Sequence, residues 1–296
     1  MGLVITKVHS FMQFTPNRAF EHLAREVADA RRLADVSDDD AKVKGELFKL
    51  LGNSYYGRLL MDVNKHEDIS YCTEKDLGKY LRSPLFKKAD EIGETGVFEV
   101  HMGKQKVVHD LPITIPFFVY QYSKLHMLRF YNFLHQCLGP ENFQLLEMDT
   151  DSLYFSLSTD TLDEAVLPDQ RDYFDAHKHL FLFEPTNTYN KRTPGLFKVE
   201  WEGEGMMALN SKTYYAWGRD NNKISTKGLS KKLNSFDETH FDRVLTTKKK
   251  EGGINRGFVV KDSQVLLYQQ TRDGLSYFYP KRQVLDDGIS TVPLLI

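Results

Sequence analysis

The sequence predicts an α+β fold in which helices and mostly antiparallel strands interleave. Apolar residues recur at three-to-four spacing over residues 20–34, the period of an amphipathic helix, and further helices are expected over about 38–60 and 121–138. Short alternating or apolar runs recur at 98–102, 143–148, 153–157, 196–201, 206–209 and 213–217, as strands do. No strand–helix–strand rhythm connects them, so a doubly wound parallel sheet is not expected. At 296 residues the chain has room for two modest domains or one large one, and 41% hydrophobic content excludes wholesale disorder.

Taken in order, residues 3–14 (LVITKVHSFMQF) are rich in β-branched and aromatic side chains and predict a strand. Thr15 followed by Pro16 reads as an N-cap with proline at the first helical position. Phe20, Leu23, Ala24, Val27 and Ala34 then predict a helix to about residue 34. Ser37-Asp38-Asp39-Asp40 supplies a break and a second capping signal, and a second helix follows over about 38–60. Two helices joined by a tight polar turn make an antiparallel helical hairpin. Thr73-Glu74 predicts a short capped helix to about residue 82. The alternating runs 98–102 and 106–108, separated at Gly103, predict a β-hairpin. A helix is expected over 121–138, then two strands, 143–148 and 153–157, flanking Asp149-Thr150-Asp151-Ser152. A further strand is expected to hold Ser211-Lys212-Thr213-Tyr214-Tyr215.

Composition narrows the function classes. Lys plus Arg is 39 against 41 Asp plus Glu, a balance that excludes a histone-like protein bound by bulk charge. The balance hides a basic stretch at 222–261, with ten Lys or Arg against four acids, so a local nucleic-acid surface remains compatible. Cys72 and Cys137 are far apart and lack CxxC spacing, which argues against a disulfide framework or a zinc module and makes a reducing intracellular compartment the expectation. No segment reaches the ~20 apolar residues of a membrane span. The most apolar stretch, 111–120, carries two prolines, and the N-terminus does not read as a secretion signal. A protein neither secreted nor membrane-bound is expected.

Two constellations carry chemistry. In LLEMDTDSLYFSL, an isolated DTDS is an ordinary turn. However, Glu147, Asp149 and Asp151 alternate onto one side of an extended chain. Three such carboxylates repel unless a cation sits among them, and hard divalent ions such as Mg²⁺ take carboxylate together with phosphate oxygens. The expectation is a magnesium site at a hairpin tip. In the second predicted helix, Lys49, Asn53 and Tyr56 fall at i, i+4 and i+7, so one face carries an ammonium, an amide and a phenol. Individually these are a solvated lysine, a capping asparagine and a core tyrosine. Gly52, Asn53, Ser54 and Gly57 make the helix locally costly, and two glycines suggest that something approaches its backbone. A nucleotide fits, with the lysine on phosphates and the tyrosine against sugar or base. Lys212 and Tyr214 are expected to share one strand face, with Lys227-Gly228 after the next turn; alone, they read as an ordinary exposed strand.

Lys49-x-x-x-Asn53-Ser54-x-Tyr56-Gly57 resembles motif B of family B DNA polymerases, Asp149-Thr150-Asp151-Ser152 resembles their motif C, and Lys212-Thr213-Tyr214 resembles their K-x-Y motif. Order and approximate spacing agree along essentially the whole chain. The ending, Gly274-Leu275-Ser276-Tyr277-Phe278-Tyr279-Pro280-Lys281-Arg282 with Asp286-Asp287-Gly288, is similar to viral, organellar and mobile-element members, many of them protein-primed. The resemblance implies a right-hand polymerase: a palm edge strand at 1–14, helical-hairpin fingers at 15–62, an antiparallel palm at 63–230 and a thumb at 231–296. It implies Asp149 and Asp151 as catalytic and metal-binding residues for two Mg²⁺ ions. Lys49, Asn53, Tyr56 and Arg32 (or Arg31) would serve the incoming dNTP, and Lys212, Tyr214 and Lys227 the primer–template DNA. A terminal protein primer joins the expected partners.

The family's motif A, D-x-x-S-L-Y-P-S, supplies a further metal-binding aspartate upstream of the fingers. Nothing like it precedes residue 17, and no exonuclease region is present. The resemblance therefore implies a C-terminal part of a polymerase whose remaining half is supplied in cis or in trans. The alternative is an inactive remnant that only binds primer–template DNA.

Overall fold

The computed structural model describes residues 4–18, 20–35, 39–92, 96–261, 264–278, 282–286 and 291–294. The capping signal at Ser37 and Asp38, and Tyr279, Pro280, Lys281, Asp287 and Gly288 of the C-terminal pattern, lie outside the described residues. Among the described residues the chain is α+β, with six α-helices and small sheets whose strand ladders are all antiparallel. It divides into two compact units, 1–121 with 189–194, and 122–188 with 195–296.

In the first unit, α1 (Glu21–Asp35) and α2 (Asp39–Leu59) form the expected antiparallel hairpin. Glycines set their close approach. A Cβ on Gly45 would stand 2.6 Å from the Ala34 Cβ, and one on Gly52 would stand 3.3 Å from a Val27 methyl. The pairs run in opposite directions along the two helices, as antiparallel packing requires, and Phe20 meets Tyr55 edge-on farther along. The helix begins later than Thr15-Pro16 suggests, since residues 11–18 are irregular. The expected strand at 3–14 is also corrected: residues 4–14 form no ladder, and Val4, Ile5, Phe11 and Met12 are exposed. Strand propensity is realised only against a pairing neighbour, and none of the described residues pairs with this segment.

After α2 come β1 (Glu67–Thr73), α3 (Glu74–Leu81), β2 (Phe86–Glu91) and β3 (Val97–Gly103), the strands ordered β1–β3–β2. The 98–102 run therefore pairs with two strands on either side of it rather than with 106–108, which is not a strand. Buried His101 sits between Glu67, at 2.8 Å, and Glu99, at 3.0 Å, and ties β3 to β1. The returning segment 189–194 is held to α1 by Arg192, whose guanidinium spans both oxygens of Asp35 at 2.5 and 2.7 Å. That pairing holds the Asp35 carboxyl below its ordinary range.

Helix α4 (Thr114–Leu138) starts earlier than residue 121. Pro116 does not stop it, because a first-turn residue has no helical hydrogen bond to lose. Within the second unit, its C-terminal half buries Phe130, Phe133, Leu134, Cys137 and Leu138 against β4 (Phe143–Asp149), β5 (Ser152–Leu157) and α5 (Arg171–His177). Each fully buried Leu or Phe there contributes roughly 1.5–3 kcal/mol. Burial also pushes the Cys137 thiol up, which suits a packing role. The expected strand at 196–201 is reduced to one bridge, Leu182 with Phe197. Phe197 instead stacks on Phe130 and His126.

The second core joins the sheet β6 (Gly205–Asn210), β7 (Thr213–Trp217) and β8 (Lys223–Ser225) to α6 (Glu238–Thr247). Leu275, at the end of the ribbon β9 (Glu251–Lys261) with β10 (Gln264–Leu275), fills the same core. The core thus draws on residues on both sides of the 230/231 position, within the second unit. A small ladder, β11 (Arg282–Val284) with β12 (Thr291–Pro293), follows. Among the described residues no helix is long and apolar enough to cross a membrane.

Asp237 caps α6 by accepting from the Thr239 N–H and the Thr239 hydroxyl, and its carboxyl is held down to about 2. A carboxyl depressed in the folded state stabilises above its unfolded value, near 3.8, and loses that effect as pH falls through about 2. Asp237→Ala is therefore expected to lower the melting temperature at pH 7 and by much less near pH 2, read by thermal melts across that range.

Candidate active site

Antiparallel pairing ends at Asp149 opposite Ser152, leaving Thr150 and Asp151 as the tip of the β4–β5 hairpin. The Asp151 N–H donates back to the Asp149 carbonyl across Thr150, which lies at φ 40°. A β-branched residue in the left-handed region is strained, and such strain persists only where surrounding bonds enforce it. Here the Ser123 hydroxyl of α4 donates to the Thr150 carbonyl at 3.2 Å, and Ser152 donates to the Asp149 carbonyl at 3.3 Å.

A bulge at 145–147 realigns the strand, so that Glu147 stands opposite Tyr154. Beyond it, Leu146 and Met148 are exposed, whereas Glu147 is buried and Asp149 half-buried. The alternation read from the sequence therefore holds for Glu147 and Asp149. It stops at Asp151, which is exposed in the turn past the strand end.

The cation among these carboxylates is Lys212. Its ammonium lies 3.0 Å from an Asp149 oxygen, and its backbone N–H donates to the Glu147 carboxylate at 3.0 Å. Its carbonyl accepts from the Ser225 hydroxyl, also at 3.0 Å. Lys212 is not on a strand, contrary to expectation: it sits in the β6–β7 turn at φ 65°. The two backbone contacts clamp that left-handed conformation. Asp149 raises the lysine's affinity for its proton, and the charges of Asp151 and Glu147 add to this. The Glu147 carboxyl is pushed up by burial and by the Asp149 charge, against the pull of the Lys212 N–H.

Tyr214, two residues on, reaches the same hairpin from β7, its hydroxyl 2.9 Å from that of Tyr154. Burial pushes both phenols up, and the Lys223 ammonium lies over the Tyr154 ring. Tyr154 and Ser225 were not singled out in the sequence. Tyr154 was accessible, since it shares a strand face with Ser152, whereas Ser225 depends on sheet pairing. Lys227 is exposed beside Gly228, and no contact among the described residues ties it to the carboxylates.

The residues expected to serve a nucleotide belong to the first unit. On α2, Lys49 and Asn53 are exposed, Lys49 pairs with Glu46 at 3.3 Å, and the Tyr56 ring meets Tyr120 edge-on. The two glycines have different explanations. Gly52 admits α1 rather than a ligand, while Gly57 has nothing within 4 Å of where a Cβ would stand. The Arg32 guanidinium donates to the Tyr189 carbonyl and Thr193, pairs with Asp29 at 2.6 Å and covers the Tyr189 ring, at 17% exposure. Arg31 lines a 240 Å³ cavity with Lys42, Arg192, Asp35 and Glu46.

Hard carboxylate oxygens at an exposed tip suit Mg²⁺, which binds through one or two carboxylates completed by phosphates. Among the described residues no three His, Cys, Asp or Glu side chains converge as a protein-only metal cage requires. Asp149 and Asp151 therefore fit a shared ion rather than a self-sufficient one. Comparison with known protein families, characterised proteins and solved structures finds no match.

Proposed function

We propose that this chain belongs to a template-directed nucleotidyl transferase of the family B DNA polymerase type, acting on primer–template DNA and dNTPs. One observation carries the reading: a lysine and tyrosine more than 60 residues downstream of the Asp149-Thr150-Asp151-Ser152 turn both reach its hairpin, Lys212 at Asp149 and Tyr214 at Tyr154. Two independent motifs of the resemblance thus meet in one place. The right-hand arrangement of fingers, palm and thumb belongs to this proposal.

Asp149 and Asp151 would hold Mg²⁺, which when bound activates the primer 3′-hydroxyl and stabilises the departing pyrophosphate. The protein's part is positioning and charge. Lys49 would take the triphosphate, Asn53 would support it, and Tyr56 would sit against the nascent pair. Lys212 and Tyr214 would hold the primer terminus, with Lys227 and the basic 222–261 stretch on the duplex. The competing reading, a remnant that binds DNA without chemistry, draws on one feature: Lys212 already neutralises part of the acidic cluster.

Binding tests the shared part of both readings. Fluorescence anisotropy with primer–template DNA is expected to show affinity that falls steeply with salt, because phosphate contacts dominate. Tyr214→Ala is expected to weaken the primer–template complex. Binding that is absent at low salt, or indifferent to salt, rejects the assignment. On α2, Gly57→Ala should raise stability by roughly 1 kcal/mol, since the added methyl meets open space and improves helix propensity. If nucleotide passes close to that backbone, the same methyl weakens dNTP binding. Greater stability with unchanged dNTP affinity would remove Gly57 from the site.

A further inference from the structure

We infer that Lys212 is a built-in counter-ion for Asp149, and that a divalent cation and the Lys212 ammonium are alternative occupants of that carboxylate. The inference rests on the metal-site reading above and adds a regulatory step to it. The ammonium stands 3.0 Å from one Asp149 oxygen, while the other oxygen accepts from the Thr150 hydroxyl at 3.1 Å. Both oxygens are therefore engaged. Direct metal coordination through the first brings a dication within a few ångströms of the ammonium, and that repulsion drives the ammonium away.

The arrangement around Lys212 is a built feature rather than a chance surface pair. A lysine that merely drifted onto an aspartate would not need a left-handed backbone, yet Lys212 adopts φ 65°. Its N–H is held by buried Glu147 and its carbonyl by Ser225, both at 3.0 Å. These bonds fix the Cα position and leave the side chain free to swing. The side chain is half-exposed, so the ion pair is weak enough to yield. Released from Asp149, the ammonium remains anchored at the same turn, two residues from Tyr214, within reach of an incoming phosphate. Metal loading and phosphate capture by Lys212 would then favour each other.

Mn²⁺ binding to the 296-residue chain, followed by the electron paramagnetic resonance signal of the free ion, tests this without catalysis. Lys212→Met keeps the length and the backbone strain but removes the charge. It is expected to bind Mn²⁺ roughly three- to tenfold more tightly than the unaltered chain, as loss of an exposed ion-pair competitor should allow. Lys223→Met removes an equal charge that lies over the Tyr154 ring and should change affinity less than about twofold. Asp149→Asn should abolish the difference between the Lys212 forms. Equal affinity in Lys212→Met and the unaltered chain, with Asp149→Asn still weakening both, overturns the counter-ion role and leaves the metal site intact. An equal gain from Lys223→Met overturns it too, since bulk charge would then account for the effect. No Mn²⁺ binding sensitive to Asp149 in any variant rejects the metal-site reading itself, and the inference with it.

Discussion

Under the proposed nucleotidyl-transfer function, primer extension with Mg²⁺ is expected to yield little or no dNTP incorporation by these 296 residues, and robust synthesis once a D-x-x-S-L-Y-P-S segment is supplied in a longer protein. The reason lies at the hairpin. Asp149 and Asp151 are the two carboxylates at the tip, Asp149 is paired with Lys212, and Glu147 is committed to the Lys212 N–H. Two carboxylates, one already paired with an ammonium, would not suffice to hold two divalent cations. Metal-borne charge stabilisation amounts to several kcal/mol, so the added aspartate should change the rate by on the order of 10³-fold or more. Asp151→Asn in the longer protein should abolish synthesis while leaving DNA binding in place. Robust synthesis by the 296 residues alone would mean that another carboxylate, Glu147 or Glu200, completes the site. A longer protein that binds DNA but stays silent would favour the remnant.

Replacing Gly45 by valine is expected to destabilise the helical hairpin by about 1–3 kcal/mol, the usual cost of overpacking a tight contact. The first added carbon would already lie 2.6 Å from the Ala34 Cβ, a distance at which one helix has to move. The loss should be partly recovered by Ala34→Gly, which deletes the opposing carbon. Urea titration of the two single variants and the double variant completes the cycle. If Gly45→Val costs no more in the unaltered chain than in the Ala34→Gly background, the close approach is not what the glycine serves. Lys49 and Asn53 lie on the next turns of the same helix, so displaced packing should also weaken any nucleotide contact they make.

Local signals were legible wherever a segment's own chemistry sufficed. The spacing of Phe20, Leu23, Val27 and Ala34 anticipated α1, and the apolar runs around Asp149 anticipated the β4–β5 hairpin nearly to the residue. Thr73 anticipated the start of α3. The misses share one cause. Residues 3–14 have strand-forming side chains but no pairing neighbour among the described residues. Residues 106–108 alternate, yet β3 is already paired on both edges. Both depend on which other strand is near, which periodicity does not encode.

The site divides in the same way. The sequence by itself determined that Glu147 and Asp149 lie on one side of a strand ending beside Asp151, because side chains alternate along an extended chain. It also determined the array of Lys49, Asn53 and Tyr56 on one helix. Only the tertiary structure decided that the Lys212 ammonium reaches Asp149, that Gly52 stands against Val27, and that Arg32 bonds to Tyr189 and Thr193. Each of these joins residues distant in sequence or on different elements. Their contacts arise from how buried surfaces and polar groups are satisfied across the fold, which no local period records.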